Sequence, residues 1–168
     1  VTVVIPVYKD WPTLSNCIKS LKKYLHIDHK VMLVNDMGNE WETLETNILD
    51  AISGLKNYEY KRNEYNLGFV KTCNKAVLEW DKSGNDILLL NSDTEVTEGF
   101  LEEMQRILYM DDETGVVCPR SNNATFLSIP VHNNGRKVEP EDSYKIYRQI
   151  REFLPEREEC WTGVGFAF

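Results

Sequence analysis

The stretch "LLLNSDTEV" at residues 88–96 is a run of leucines that ends abruptly in oxygen-bearing side chains. Consecutive apolar residues are typical of a strand that is buried on both faces, as in a parallel sheet. Asn91, Asp93 and Glu95 follow at a spacing of two, which repeats one side-chain direction while the backbone stays extended. A chain that only leaves a sheet does not require this set of oxygens. The stretch therefore predicts a strand that ends at a polar site.

Strand and helix patterns alternate on both sides of this stretch. β-branched and apolar runs predict strands at residues 1–8, 30–36, 58–62, 86–91 and 115–119, with 86–91 central in the sheet. Apolar residues at helical spacing predict helices at residues 9–25, 41–52, 69–80 and 100–108. This alternation predicts an α/β fold, with a mainly parallel sheet flanked by helices on both faces. The loop-rich stretch at 120–141 is too long for a plain connector and favours a segment that covers a site.

Length and composition narrow the class of protein. The chain has 168 residues, of which 42% are hydrophobic, and this predicts a single domain over residues 1–168. No apolar run approaches the roughly 20 residues of a membrane span. The four cysteines are widely spaced and form no CxxC pair, which favours reduced thiols and a cytoplasmic location.

The formal charge of −8 excludes a general nucleic-acid-binding surface, because phosphate neutralisation needs clustered Lys and Arg. An acidic chain that handles a diphosphate would need a divalent cation nearby. No GxGxxG follows the first strand and no GxxxxGK[ST] occurs, so neither a Rossmann dehydrogenase nor a P-loop enzyme is supported.

Ligands of an open parallel sheet gather beyond the carboxyl ends of its strands. Three predicted strands each end near an acid, namely Asp10, Asp36 and Asp93. Two of these acids have a plain structural alternative, since Asp10 is also placed to cap a helix and Asp36 to form a turn. Asp93 has the weakest such alternative because Asn91 and Glu95 flank it.

Five segments in order resemble the nucleotide-binding half of the family 2 glycosyltransferases of GT-A fold. They are "VTVVIPVYKDWPTLSNCIKSL", "VMLVNDMG", "NEYNLGFVKTCNKAV", "ILLLNSDTEVTEGFL" and "CWTGVGFAF". The resemblance covers essentially the whole chain and is greatest for rhamnosyltransferase-like members. It implies a GT-A, Rossmann-like sheet that is truncated at its C-terminal side. The start on an apolar strand without a methionine and the apolar end "GVGFAF" separately favour a chain whose two ends are cut from a longer protein.

The resemblance implies a set of nucleotide-binding residues. Pro6 and Tyr8 match the segment that lies against the nucleoside, although Tyr8 could also be a core aromatic. Asp36 matches the acid that accepts a hydrogen bond from the pyrimidine N3–H, and Asn35 stands where the family has another acid. The remaining members of this implied set are Asp10, Asn66, Gly68, Asn74, Asn91 and Ser92. Gly68 could equally be a glycine that starts a helix.

The motif "NSD" falls where the family has DxD. Asp93 then matches the usual ligand of Mn²⁺ or Mg²⁺, with Asn91 at the first acid. Glu95 offers the alternative pair Asp93 and Glu95. The frame with Asn91 is preferred because it keeps the family's register with the strand.

The implied reaction is an inverting displacement, in which an acceptor hydroxyl on a saccharide or lipid-linked molecule attacks a UDP- or dTDP-sugar. Such chemistry belongs to polysaccharide biosynthesis. The family's general base lies in a later motif, expected beyond Phe168, so no base is assigned and the chain alone is expected to be inactive. Glu156, Glu158 and Glu159, in "PEREEC", fit a solvated turn better. The apolar end "GVGFAF" favours a homodimer.

Two other classes remain open from the sequence. One is a non-catalytic module that binds a nucleotide or a carbohydrate. The other, less favoured, is a sugar-1-phosphate nucleotidyltransferase, because "KDWPTL" stands where such enzymes carry a glycine- and arginine-rich loop.

Overall fold

The computed structural model describes residues 1–124, 127–129, 138–160 and 167–168. The chain divides into two compact units, one of residues 1–96 with 167 and the other of residues 97–166 with 168. All of the predicted site residues lie in the first unit. Much of the loop-rich stretch and most of "GVGFAF" lie outside the described residues, so the predictions made for them stay predictions.

The first unit contains a parallel four-stranded sheet with the order β3-β2-β1-β4. Its strands are β1 (Thr2–Val7), β2 (Lys30–Asn35), β3 (Tyr58–Arg62) and β4 (Ile87–Leu89). The predicted α/β fold with a parallel sheet is therefore confirmed. β4 ends this order among the described strands, and the prediction that it is central stays a prediction, since residues 161–166 lie outside the described part of the chain. Beyond β4, Leu90 forms a single antiparallel bridge with Ala167, which is buried.

Three helices of the first unit, which all fall where the sequence predicts them, cover the two faces of the sheet. They are α1 (Trp11–Tyr24), α2 (Trp41–Ile52) and α3 (Phe69–Lys75), and α3 continues as one π-helical turn over Ala76–Trp80. Right-handed crossovers between parallel neighbours place α1 and α2 on one face. On the other face, Val4, Met32 and Val34 pack with Ala76, and Val77 and Trp80 extend this cluster.

The second unit is described separately and contains α4 (Phe100–Leu108), α5 (Pro140–Ile150) and a 3₁₀ turn (Arg151–Phe153). The helix α4 is confirmed, whereas α5 was not predicted. The predicted strand at residues 115–119 is wrong, since this stretch is irregular and Val116 is 68% exposed. β-branched residues favour a strand only where a neighbouring strand and a buried face are supplied.

The acidic stretch "PEREEC" at residues 155–160 is exposed throughout, as a solvated turn predicts. Glu156 pairs with Arg106, and Glu158 lies 3.7 Å from Arg120. Exposed ion pairs of this kind contribute little to stability. In the described part of the chain, no helix combines the length and the apolarity that crossing a membrane requires.

Candidate functional site

The residue that follows β2 is an acid whose carboxylate is almost completely buried. Asp36 is 4% exposed. Its Oδ1 accepts three hydrogen bonds, from Asn63 Nδ2 at 2.8 Å, from the backbone N–H of Leu67 at 2.8 Å and from the Thr72 hydroxyl at 2.7 Å. These donors come from the end of β3, the turn before α3 and α3 itself. One carboxylate oxygen therefore ties three successive segments to the end of β2.

The other oxygen of Asp36 holds the turn before α3. Oδ2 accepts from the Gly68 N–H at 2.9 Å and from Asn66 Nδ2 at 3.2 Å, and this Nδ2 also donates to the Asp36 carbonyl at 2.9 Å. Both contacts of the Asn66 amide are to acceptors, so its nitrogen must face Asp36 and its Oδ1 must face away. Gly68 has φ 77° and immediately precedes α3, as its interpretation as a helix-start glycine predicts.

Two members of this network, Asn63 and Thr72, were missed by the sequence analysis. Asn63 Nδ2 donates to both Asp36 Oδ1 and Thr72 Oγ1, each at 2.8 Å. Asn63 is 1% exposed and Thr72 is fully buried. No sequence signal marks either residue, since Asn63 follows a predicted strand and Thr72 lies within a predicted helix. Among the described residues, the buried Asn63 Oδ1 has no hydrogen-bond partner.

Asn35, which stands where the family has an acid, uses both ends of its amide. Its Nδ2 donates to the Trp41 carbonyl at 3.3 Å and to the Tyr60 hydroxyl at 3.0 Å, and its Oδ1 accepts from the Met37 N–H at 3.1 Å. A carboxylate could not donate to that carbonyl. Asparagine is thus the residue that satisfies this buried position.

The carboxyl ends of β1 and β2 approach each other closely. A Cβ atom on Gly38 would lie 1.8 Å from the Tyr8 carbonyl oxygen, and the Asp36 N–H donates to the Val7 carbonyl at 2.7 Å. The Tyr8 side chain is 48% exposed at this edge of the sheet. This excludes the alternative that Tyr8 is a core aromatic, and it leaves the ring free for a flat ligand. Pro6 lies half-buried in β1.

Asp10 occupies the N-cap position of α1, in line with its structural alternative. It adopts φ 69°, a left-handed conformation that Asp tolerates better than most residues. Its Oδ1 accepts from the Thr13 N–H at 3.5 Å, and its carbonyl accepts from the Thr13 hydroxyl at 3.1 Å. Capping the helix thus explains this acid without a ligand.

The carboxylates beyond β4 are exposed, in contrast to Asp36. Asp93 and Glu95 both point to solvent, and Asn91 and Ser92 are half-buried. Burial and, to a smaller extent, the charges of Asp93 and Glu95 together raise the pKa of the Cys17 thiol in α1 to about 12. Both acids therefore lie close enough to act on one buried group. A bound cation would offset the negative charge that both acids bring to this segment.

Two contacts with α1 fix the backbone of this segment. The Val96 N–H donates to Ser20 Oγ at 3.0 Å, and Cys17 Sγ lies 3.9 Å from the Asn91 carbonyl. A backbone hydrogen bond of 3.2 Å from the Thr94 N–H to the Asn91 carbonyl closes the turn between them. The two acids thus project from an anchored segment.

The donor set beyond β4 fits a hard divalent cation. Mg²⁺ and Mn²⁺ prefer oxygen ligands, and Mg²⁺ is commonly held by one or two carboxylates with phosphate oxygens and water. In the part of the chain that the structure describes, no group of three or more Asp, Glu, His or Cys could hold a metal ion by itself. Asp93 with Asn91 or Glu95 therefore suits a cation whose remaining ligands come with a substrate.

Asn74 lies apart from these groups. It lines a hollow of about 400 Å³ beside α3, together with Lys71, Lys75 and Leu78 among others. Thr72, two residues earlier, points inward to Asp36. The structure therefore brings Asp36, Asn66 and Gly68 together but does not bring Asn74 into that network.

The family model for glycosyl transferase family 2 matches residues 2–166 of this sequence. The chain belongs to glycosyl transferase family 2. No curated protein matches it significantly.

Solved structures share the fold of this family 2 chain. It is similar to residues 1–349 of Staphylococcus aureus TarS, with 19% identity and a TM-score of 0.54 over 76% of this chain and 42% of that one. It is also similar to the mannosyltransferase PcManGT from Pyrobaculum calidifontis in complex with GDP-Man and Mn²⁺, with 14% identity and a TM-score of 0.58 over 88% and 38%. A third similar structure is GalNAc-T7 with UDP, GalNAc and Mn²⁺, with 20% identity and a TM-score of 0.52 over 66% and 20%.

These likenesses confirm the predicted GT-A fold. The family 2 chain spans less than half the length of each of the three structures. Rhamnosyl specificity, a cytoplasmic location, the homodimer and the single-domain organisation stay predictions.

Proposed function

We propose that this chain is the donor-binding part of an inverting glycosyltransferase that moves a sugar from a UDP- or dTDP-sugar to a hydroxyl of a saccharide or lipid-linked acceptor. The observation that carries the proposal is the pair of exposed carboxylates, Asp93 and Glu95, anchored at the carboxyl end of a parallel strand. Membership of family 2 supplies the reaction class.

The nucleoside is proposed to lie across the carboxyl ends of β1 and β2. The half-exposed ring of Tyr8, just after β1, offers a flat apolar surface to a pyrimidine, and Pro6 lies two residues earlier within β1. The turn that carries Asn66 and Gly68 borders the same edge. Asn91 and Ser92 are proposed to reach the ribose or the diphosphate from the segment that follows β4. Asn74 is proposed to contact the nucleotide only if the ligand extends into the hollow beside α3.

The diphosphate is proposed to lie beyond β4, where Asp93 with Asn91 or Glu95 would hold Mn²⁺ or Mg²⁺. When bound, the cation supplies positive charge that stabilises the leaving diphosphate. The residues of the chain bind and orient that diphosphate, while the acceptor hydroxyl attacks the anomeric carbon from the opposite side. No residue of this chain is assigned as the general base.

A uracil or thymine donor is proposed in preference to other bases. TarS has been crystallised with UDP-GlcNAc and GalNAc-T7 with UDP, whereas PcManGT was crystallised with GDP-Man. The half-exposed ring of Tyr8 suits a single-ring base.

Calorimetric titration of UDP, dTDP, CDP and GDP tests the proposal. UDP or dTDP should bind most tightly, and binding should require Mn²⁺ or Mg²⁺. Asp93→Ala should abolish the cation dependence, whereas Asp50→Ala, which removes an exposed acid of α2, should preserve it. Equal affinity for UDP in excess EDTA would contradict the metal-assisted site.

Transfer is tested with radiolabelled UDP- and dTDP-sugars. We expect this chain to release sugar from the donor slowly at most, because general-base assistance contributes typically 100-fold to 10,000-fold. Binding without hydrolysis or transfer, in this chain and in any longer protein that contains it, would instead identify a nucleotide-binding module.

A further inference from the structure

We propose that Asp36 is a positioning residue, which holds the turn at residues 66–68 and the start of α3 against the end of β2 and does not itself contact the nucleotide base. The consequence for binding rests on the proposed function, whereas the consequence for the turn does not. The resemblance had assigned the base contact to this residue, so the two roles give different results in one experiment.

The first argument is that the acceptor capacity of Asp36 is already used. An ionised carboxylate offers about four lone-pair positions. Its two oxygens accept five hydrogen bonds from this chain, all from residues 63–72. The side chain is also 4% exposed. A base N3–H would have to displace one of these donors and then reach a buried oxygen.

The second argument is that the donors form one contiguous structural unit. Leu67 and Gly68 present consecutive backbone N–H groups to the two oxygens of Asp36, at 2.8 and 2.9 Å. Gly68 then accepts the Thr72 N–H through its carbonyl at 3.0 Å, and the Thr72 hydroxyl returns to Asp36 at 2.7 Å. The carboxylate therefore fixes both the turn and the first turn of α3.

The third argument concerns what the turn presents to a ligand. Asn66 is exposed, and its Nδ2 is held by the carbonyl and the Oδ2 of Asp36. Its Oδ1 consequently faces away from Asp36 in a single orientation before any ligand binds. A group that is ordered in advance does not lose that conformational freedom on binding. Asp36 thus acts on the affinity for every nucleoside diphosphate through Asn66 and its turn.

The experiment compares UDP with N3-methyl-UDP, which lacks the N3–H but keeps the rest of the ligand. If Asp36 positions the turn, Asp36→Ala should lower both affinities by the same factor, of about tenfold or more. If Asp36 accepts from N3–H, the loss should fall on UDP alone and bring it level with N3-methyl-UDP. That selective loss would overturn the proposal.

Hydrogen exchange of the Leu67 and Gly68 amides, without any nucleotide, gives a second readout. Asp36→Ala should speed their exchange by about tenfold or more, since two N–H groups lose their acceptor. Unchanged protection would overturn the positioning role. Glu64→Ala removes an exposed acid beside Asn63 and should alter neither the exchange nor the ratio of the two affinities.

A milder variant covers the case in which Asp36→Ala does not fold. Thr72→Val keeps the shape of the side chain and removes one of the donors to Asp36 Oδ1. It should speed exchange at Leu67 and Gly68 less strongly and lower both affinities equally. If the wild-type chain binds no nucleoside diphosphate, the proposed function fails, while the exchange measurement still decides whether Asp36 holds the turn.

Discussion

The carboxyl ends of β2 and β4 carry the same type of residue in opposite environments. At β2, Asp36 is 4% exposed, and its carboxylate accepts five hydrogen bonds from side chains and backbone N–H groups of the chain. At β4, Asp93 and Glu95 are exposed and close enough to raise the pKa of one buried thiol. An acid at a strand end is thus either part of the folded framework or open to a ligand, and its surroundings decide which.

The difference lies in what the following chain brings back to the strand end. After β2, the chain returns through β3 and α3 with backbone and side-chain donors that match a carboxylate. After β4, two contacts with α1 anchor the backbone without neutralising the acids. A buried charge requires such donors, whereas an exposed charge is hydrated until a cation replaces the water.

The most disruptive test of this comparison is Asp36→Ala. Removing the carboxylate leaves the buried donors of Asn63 and Thr72 without their acceptor, and each unsatisfied donor costs about 1–3 kcal/mol. We therefore expect the free energy of unfolding to fall by about 3 kcal/mol or more. Urea denaturation measures this loss. A loss below about 1 kcal/mol would mean that the network at β2 is no more essential than the open end of β4.

A second test addresses the close approach of β1 and β2. In Gly38→Ala, the new Cβ would meet the Tyr8 carbonyl oxygen at 1.8 Å, and a backbone atom cannot move as a flexible side chain can. We expect a loss of about 1–3 kcal/mol, together with weaker UDP binding through the displaced Tyr8. Gly115→Ala is the matched control, because a Cβ there meets nothing within 4 Å. Equal stability of the two variants would show that β1 and β2 separate at low cost.

The sequence predicted the framework of the first unit well for a physical reason. Parallel strands that are buried on both faces appear in the sequence as continuous apolar runs, and amphipathic helices repeat their apolar residues with a period of 3.6 residues. The order of elements and the acids at the strand ends followed from these patterns. Where burial did not decide the structure, as at residues 115–119, the same reasoning failed.

The sequence could not predict that Asp36 is a buried part of the framework while Asp93 and Glu95 are exposed. The environment of Asp36 depends on Asn63, which follows β3, and on Thr72 in α3, and both are distant from Asp36 along the chain. Likewise, the role of Asn35 depends on Trp41 and Tyr60. Hydrogen bonds between separate segments leave no periodic signal, so only the folded geometry shows them.

A third test uses pH to examine Tyr60, whose hydroxyl accepts a hydrogen bond from Asn35 at the end of β2. Burial raises the pKa of Tyr60 from 10.0 to about 12, so folding favours the protonated hydroxyl. This contribution is fully present below pH 10 and is lost as the pH rises from 10 to 12. Tyr60→Phe removes the acceptor of Asn35 Nδ2, which we expect to cost about 0.5–1.5 kcal/mol at pH 7.

Measurements between pH 10 and 12 test whether Tyr60 causes the loss of stability in that range. The variant should lose less stability than the wild type between pH 10 and 12, as measured by urea denaturation at each pH. The burial of Tyr58 also raises its pKa to about 12, so part of the alkaline loss should remain. Tyr65→Phe, at an exposed position, should reproduce the wild-type curve. Identical curves for Tyr60→Phe and the wild type would remove Tyr60 from the pH response.

The smallest effect on the free protein is expected at Asp93. Because its side chain is exposed, Asp93→Ala should change the free energy of unfolding by no more than about 0.5 kcal/mol. With Mn²⁺ present and UDP at a hundred times its Kd, the wild type should gain about 2.7 kcal/mol by mass action. A thermal-shift measurement should show this gain in the wild type and its loss in Asp93→Ala.

Glu95→Ala separates the two possible metal pairs, since it should keep most of the gain if Asn91 and Asp93 hold the cation. A gain that survives Asp93→Ala but disappears in Glu95→Ala would place the cation on Glu95, and the end of β4 would still differ from that of β2 in being open to a ligand.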